Sequence, residues 1–347
     1  MRRGTGMVAA GAAALLAGCA TGGADASDVE RPVLRLADSY PLTHPFGEHG
    51  AQVFVDGLEQ AGFTVEYFPA GQMGGPQDLA ILAQTGVVSV APASAAYLED
   101  QLPLSSVSDL PNMTTDACVA ARSMMDLLSE DGVLYQEEYE PLGVRPLWIS
   151  IIPNYEILTA DRQVTSPEDA EGLILRSSGG AFDVTVERAG AAAVSMPAGD
   201  TYEAMARGTV DGTAMPFLSV VPYRLDEVAR YSTDGLNIGS VGIPYVISAE
   251  AWDGLTADQQ EDVTAAGVAA NESLCAALDR LHDEGRDYLS DKGVILTEVT
   301  GEGREQWRQE LDAVRLDWAG SLDGIGLPGS RVLREYEAAL ARHEEAR

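Results

Sequence analysis

The chain has 347 residues, 54 of them acidic and 22 basic, for a net charge of −32, and 46% of its residues are hydrophobic. That length supports two domains with cores of their own, and the apolar segments running through it exclude a disordered chain. The acid excess repels phosphate backbones, which excludes nucleic-acid binding through a basic face.

Residues 1–18 read as a signal peptide. Arg2 and Arg3 precede an apolar stretch from Met7 to Leu16, and small residues follow at the cut. The stretch is shorter than the roughly 20 residues a spanning helix needs. Leu16-Ala17-Gly18-Cys19 resembles a bacterial lipobox, so Cys19 is expected to receive lipid and hold the mature chain on the outer, extracytoplasmic face of the cell membrane. Residues 19–32 are small and acidic, with Gly and Pro, and read as a tether. Two cysteines remain, Cys118 and Cys275. Outside the cell a disulfide between them is allowed, as are two separate buried thiols, and the sequence leaves both open.

The body begins with a strand at Val33–Ala37, a loop at 38–45 and an amphipathic helix over 47–60. A strand over 63–68 ends at Pro69, the glycine-rich turn 69–76 follows, and a helix over 77–85 leads to a short strand at 87–91. This β-α-β-α-β rhythm implies a parallel, right-handed α/β sheet. A helix over 115–128 and a long apolar strand over 144–152 come next. The rhythm then restarts, with strands at 173–175, 192–194 and 212–215 and helices at 181–189 and 201–207. An apolar strand over 238–247 and a helix-compatible run over 256–290 complete the pattern. The run is longer than one lobe of this size, so its helix must lie across both. The expected lobes are residues 33–152 with 241–281, and residues 153–240 with 282–347.

Catalytic groups are not evident. His44 and His49 read as a loop histidine and a helix-surface histidine, with no Cys or carboxylate spacing that completes a metal site. There is no Gly-x-Ser-x-Gly elbow and no phosphate loop, and the glycines of 71–75 lack the dinucleotide spacing. The sequence therefore points to a binder that needs no cofactor and no metal, rather than an enzyme.

Three separated motifs, FPAGQMGGPQDLAILAQTGVV (68–88), TSPEDAEGLILR (165–176) and MPAGDTYEAMARGTVDGTAMP (196–216), resemble the solute-binding proteins of tripartite ATP-independent periplasmic (TRAP) transporters, the DctP-type family. The resemblance implies a type II-like periplasmic-binding-protein fold: two α/β lobes, hinge strands and a long helix spanning both. It also implies a monomeric receptor that closes on a small organic acid and delivers it to the small and large membrane subunits of an ion-gradient-driven permease. In the family, the arginine ending the Gly-Leu-x-x-Arg strand pairs with the substrate carboxylate, and that position here is Arg176. A planar guanidinium at a strand end suits bidentate carboxylate binding.

The family's asparagine after Val-Asp-Gly is replaced by Met215, and a second basic position found in some members falls near Tyr155. The strand-end loops add Ser94, Tyr97, Ser39, Tyr40 and Ser178. Hydroxyl-bearing aromatics and a thioether in place of charged and amide groups favour one carboxylate on an apolar or ring-bearing body. The competing readings are a binding protein for an ATP-driven importer or a sensor kinase, and an extracellular enzyme on the same scaffold.

Overall fold

The computed structural model describes residues 32–346, so the signal peptide, Cys19 and nearly all of the tether lie outside the described residues. The strands are β1 (Val33–Ala37), β2 (Thr64–Phe68), β3 (Val90–Pro92), β4 (Val144–Ile152), β5 (Tyr155–Thr159), β6 (Ile174–Ser177), β7 (Ala192–Ser195), β8 (Gly212–Pro216), β9 (Tyr231–Asp234), β10 (Val241–Ser248) and β11 (Ile295–Glu298). The helices are α1 (Gln52–Gln60), α2 (Pro76–Gln84), α3 (Ala117–Leu128), α4 (Pro167–Ala170), α5 (Ala181–Arg188), α6 (Thr201–Ala206), α7 (Val220–Tyr223), α8 (Ala249–Asp253), α9 (Ala257–Asp291), α10 (Gly301–Gly324) and α11 (Gly329–Glu345).

Two sheets result, each the centre of an α/β lobe. The first has the order β2-β1-β3-β10-β4 and the second β11-β9-β5-β8-β6-β7. The parallel rhythm holds for β1 with β2 and β3, and for β6 with β7 and β8. The sheets are nevertheless mixed, because β10 runs antiparallel to both β3 and β4, and β5 antiparallel to both β8 and β9. The chain passes between sheets at 153–154 and again at 235–240, the crossings expected near Ile152 and Gly239. There the Tyr155 amide donates to the Gly239 carbonyl (3.2 Å) and the Ile238 amide to the Tyr155 carbonyl (3.0 Å).

Helix starts follow local chemistry. Pro76 opens α2, and the Asp78 carboxylate reaches back to the Gly75 amide (3.0 Å). Thr256 and Gln259 cap α9 reciprocally at 3.3 and 2.9 Å. The 35 residues of α9 make a helix roughly 52 Å long. It packs on α1, α3 and β4, then farther along on the turn Phe217–Ser219 beyond β8, so it spans both sheets. None of the described helices is long and apolar enough to cross a membrane.

Two findings depart from the sequence reading, and a third settles a point it leaves open. Strands β5, β9 and β11 and helices α10 and α11 have no counterpart in it. Residues 282–347 were allotted to the second lobe, yet α11 packs on α3. There Val332, Tyr336 and Leu340 join Met124 and Leu127 in one buried cluster, and Arg342 bonds the Asp126 carboxylate at 2.9 Å. Finally, Cys118 and Cys275 are joined in a disulfide, with Cα atoms 5.0 Å apart, which sets aside the two separate thiols and ties α3 to the middle of α9.

A cross-link closing so long a segment restricts the unfolded chain. Replacing both cysteines by alanine is expected to cost about 2–4 kcal/mol of unfolding free energy, read from guanidinium denaturation midpoints. A midpoint equal to wild type would show that the bond contributes nothing.

Candidate functional site

Arg176, one residue from the end of β6, lies between Val194 of β7 and Thr213 of β8, near the carboxyl end of parallel strands, where α/β sheets open their crevices. Its side chain is almost wholly buried, at 1% exposure. Nε and Nη2 donate to the Met196 carbonyl at 3.0 and 2.7 Å, and Nη2 also reaches the Tyr97 hydroxyl at 3.3 Å. The two partners are a backbone carbonyl and a phenol. No carboxylate among the described residues pairs with this guanidinium.

Three phenols, Tyr97, Tyr155 and Tyr223, lie near it, and a fourth, Tyr40, lies beside those three. Tyr97 closes the short helical turn after β3, Tyr155 opens β5, Tyr223 ends α7 and Tyr40 lies in the loop after β1. Burial raises the pKa of Tyr40, Tyr155 and Tyr223, and the Arg176 cation only partly offsets this at Tyr155 and Tyr223. All three therefore remain neutral donors, and their hydroxyls make no hydrogen bond to the described residues. Tyr155 packs on Phe182 with ring centroids 4.7 Å apart. A cavity of about 300 Å³ is lined by Ser39, Tyr40, Gly75, Tyr97, Pro197 and Tyr223, among others, and has no basic side chain on its wall.

Asp38 holds the Tyr40 loop from beneath. Its carboxylate accepts from the Tyr40 amide (3.0 Å), the Tyr245 hydroxyl (2.9 Å) and the Tyr67 hydroxyl (3.4 Å). The glycine-rich turn braces the same loop, with the Gly71 amide donating to the Asp38 carbonyl (2.8 Å) and the Ala70 amide to the Tyr40 carbonyl (2.9 Å). Across the seam, Gly179 has φ +99°, and a Cβ there would sit 2.7 Å from the Ala96 carbonyl oxygen, so only glycine allows this approach.

The sequence model of the DctP family, bacterial extracellular solute-binding protein, family 7, matches residues 43–320. The chain belongs to this family. It is 25% identical over 282 residues to the C4-dicarboxylate-binding periplasmic protein DctP of Rhodobacter capsulatus, covering 80% of this chain and 81% of that one. Among solved structures it resembles a TRAP solute-binding protein from Rhodoferax ferrireducens T118 in complex with copurified benzoate. The TM-score is 0.83 and the identity 19%, over 90% of this chain and 99% of that one. A TRAP periplasmic solute-binding protein from Bordetella bronchiseptica, with bound (R)- and (S)-mandelate, matches with a TM-score of 0.80 and 23% identity, over 89% and 99% of the two chains. The two-lobed TRAP receptor fold is therefore that of this chain.

Of the residues singled out in the sequence, Arg176, Tyr97, Tyr155, Tyr40 and Ser39 come together in this DctP-family chain. Ser178 lies just past Arg176, buried, with an Oγ that has no hydrogen-bond partner among the described residues. Two others are held by contacts of their own. Ser94 donates to the Gly242 carbonyl (3.1 Å) and serves the β3–β10 junction. Met215 is a core residue, packed in a cluster with Leu158, Met205, Val210 and Phe217. It pairs with Glu156 across the β5–β8 ladder.

Sequence reasoning missed Tyr223 and Asp38. Tyr223 was within reach of the strand-end rule that picked Tyr97, because α7 follows the end of β8. No group of His, Cys, Asp or Glu among the described residues is placed to hold a metal.

Burial pushes the carboxyls of Asp38, Asp109, Glu138 and Glu156 each up to about 7, against opposing hydrogen bonds. Their folded values exceed the unfolded ones near 4, so the stability tied to them is complete below about pH 4 and is lost as pH rises through about 7. Asp38→Asn removes one such group. The wild-type advantage in unfolding free energy over this variant is expected to shrink between about pH 4 and pH 7, in a series of urea denaturations. A pH-independent difference would contradict the raised value.

Proposed function

We propose that this chain is an extracytoplasmic TRAP receptor that binds a monocarboxylate with an apolar or aromatic body, Arg176 taking the carboxylate, and delivers it to the membrane subunits of an ion-gradient-driven permease. The observation that carries the reading is the buried Arg176 guanidinium, whose protein partners are only a carbonyl and a phenol. Burying a cation costs several kcal/mol unless an anion or a full set of hydrogen bonds offsets it, and a ligand carboxylate brings both. Tyr97, Tyr155 and Tyr223 supply neutral donors and ring faces around that carboxylate.

One carboxylate is favoured over two. The relative from Rhodobacter capsulatus is named for C4-dicarboxylates, but here the nearby cavity has no basic side chain on its wall, so a second carboxylate there would be desolvated without a counter-charge. The benzoate and mandelate in the two fold neighbours are single-carboxylate acids with rings. Family membership favours a TRAP permease as the recipient over an ATP-driven importer or a sensor kinase, and a receptor over an enzyme. The lobes 33–152 with 241–281 and 153–240 with 282–328 are proposed to hinge at the two crossings, with α11 moving as part of the first. At one crossing Gly239 lies close enough that a Cβ would meet the Asp109 carbonyl at 2.8 Å.

Calorimetry with the acid released from denatured protein and identified by mass spectrometry, and with benzoate as a second probe, tests the assignment. Arg176→Ala is expected to weaken binding by roughly thirtyfold to several thousandfold, about 2–5 kcal/mol. Arg176→Lys should fall between it and wild type, because it keeps charge but loses the paired donors. Wild-type affinity in Arg176→Ala would remove the carboxylate assignment.

Lipid attachment at Cys19 belongs to the same proposal, since it would keep the receptor beside its permease. Expression of Cys19→Ala should release soluble mature protein or leave uncleaved precursor. Membrane retention equal to wild type, with no lipid mass on the N-terminus, would rule the anchor out.

A further inference from the structure

Just past Arg176 the chain carries hydrogen-bond donors that no group of the described residues takes up. Strand β6 alternates its side chains. The Ser177 hydroxyl donates to the Asp183 carboxylate of α5, so Ser177 points to the helix side of the sheet, and its neighbours Arg176 and Ser178 point to the opposite face. Ser178 is buried, at 3% exposure, and its Oγ has no partner among the described residues. The amides of Ser178, Gly179 and Gly180 likewise donate to no group among them. Ser178 and Gly179 are both buried, and buried backbone N–H groups are rarely left unpaired.

Two contacts set these donors beside the guanidinium. Met196, whose carbonyl accepts from Nε and Nη2, donates its own amide to the Ser177 carbonyl (3.2 Å). The ladder pairs Ser177 with Ser195, so the guanidinium reaches forward along the sheet to the level of Ser178. Across the seam, Nη2 touches the Tyr97 hydroxyl, while the preceding residue, Ala96, meets Gly179, where a Cβ would lie 2.7 Å from the Ala96 carbonyl oxygen. Arg176 and the segment 178–180 thus abut the same two residues of the first lobe. The segment leads directly into α5, eight residues long, whose N-terminus carries partial positive charge.

The guanidinium alone does not complete a carboxylate site. Nε and Nη2 are engaged by the Met196 carbonyl and Nη2 also by Tyr97, which leaves Nη1 as the nitrogen unclaimed by the described residues. The two N–H bonds of Nη1 diverge, so they serve one carboxylate oxygen, and the other oxygen needs donors from elsewhere. We propose that the Ser178 hydroxyl, with the amides of Gly179 and Gly180 beside it, takes that second oxygen, so that the end of β6 and the start of α5 form one oxyanion site. The inference rests on the reading of Arg176 as the carboxylate partner. Because the amides can only donate, the same site rejects a carboxamide, whose NH2 group would face them.

The test is calorimetry of benzoate and mandelate against wild type, Arg176→Ala and Ser178→Ala, each freed of bound acid by unfolding and refolding, together with urea denaturation of the same acid-free proteins. Ser178→Ala is expected to weaken binding of the acid that wild type prefers by roughly tenfold to hundredfold, the range for a hydrogen bond to a charged group. Its acid-free midpoint should equal or slightly exceed that of wild type, because the variant deletes a buried hydroxyl that has no partner. Wild-type affinity in Ser178→Ala, whatever its midpoint, overturns the inference. If Arg176→Ala weakens binding while Ser178→Ala does not, only the Ser178 role fails. If Arg176→Ala binds like wild type, or wild type binds neither acid, the carboxylate reading itself falls and this inference with it.

A crystal structure of wild type with the preferred acid gives a readout that needs no variant. One carboxylate oxygen should lie within hydrogen-bond distance of Arg176 Nη1 and the other within that distance of Ser178 Oγ. Both oxygens on Arg176, with the Ser178 hydroxyl still unpaired, would overturn the proposal.

Discussion

The burial of one guanidinium among neutral groups organises this protein's site. Arg176 is out of water, fixed by two bonds to the Met196 carbonyl and touched by the Tyr97 hydroxyl, and its charge is not matched by any carboxylate of the described residues. The same low-polarity surroundings keep the neighbouring phenols un-ionised, so the local field stays positive. That matters because the chain as a whole carries −32. Beyond a Debye length of about 8 Å at physiological salt the surface acids are screened, and an approaching anion meets a short-range cation rather than the net charge. Capture of an acid by this chain is thus a local, desolvated interaction and not one steered from a distance.

Residues that never line the cavity fix the geometry of those that do. Asp38 carries no ion pair but gathers two tyrosine hydroxyls and the Tyr40 amide, and the glycine-rich turn completes the brace from the other side. The FPAGQMGGP segment is therefore a positioning element: it holds the Tyr40 loop in place through backbone bonds. On the opposite side of the first lobe the Cys118–Cys275 bond fixes α3 to α9 near the helix midpoint. The half of α9 before it stays with the first lobe and the half after it packs on the turn beyond β8.

What the sequence disclosed is what local periodicity and spacing encode. The long helix read over 256–290 is α9 at 257–291, and the strand read over 144–152 is β4 at those residues. Arg176 came from a motif and a strand end, both local. The failures share a cause, which is tertiary context. Met215 and Arg176 lie on the same face of adjacent strands, and the neighbours Met215 packs against, Leu158, Met205, Val210 and Phe217, come from elsewhere in the chain. His44 is the loop histidine the sequence reads, but its burial is built by Tyr40, Phe46 and Tyr223, the last of them nearly 180 residues away in the chain. The disulfide joins residues 157 apart in sequence, and no spacing rule pairs two cysteines across that distance. Strands β9 and β11 are short, at four residues each, and a four-residue strand gives little alternation to read.

The site is also divided between the lobes in a way that constrains how it works. Arg176, Tyr155 and Tyr223 belong to elements around the second sheet, while Tyr97 and Tyr40 sit in loops leaving the first. Neither half alone provides both a cation and the rings opposite it. A ligand touching both halves therefore has greater affinity for the arrangement in which they meet than for any arrangement in which they are apart, and it shifts the population toward the former by that difference. The bond from Arg176 to Tyr97 and the contact of Gly179 with the Ala96 carbonyl already join the halves without a ligand. What they contribute is a single long hydrogen bond and a van der Waals approach, worth little beside a paired carboxylate. If Arg176 pairs with the ligand carboxylate as proposed, the difference between those two energies is the free energy available to signal occupancy, and it scales with the strength of that contact rather than with the size of the surface that closes.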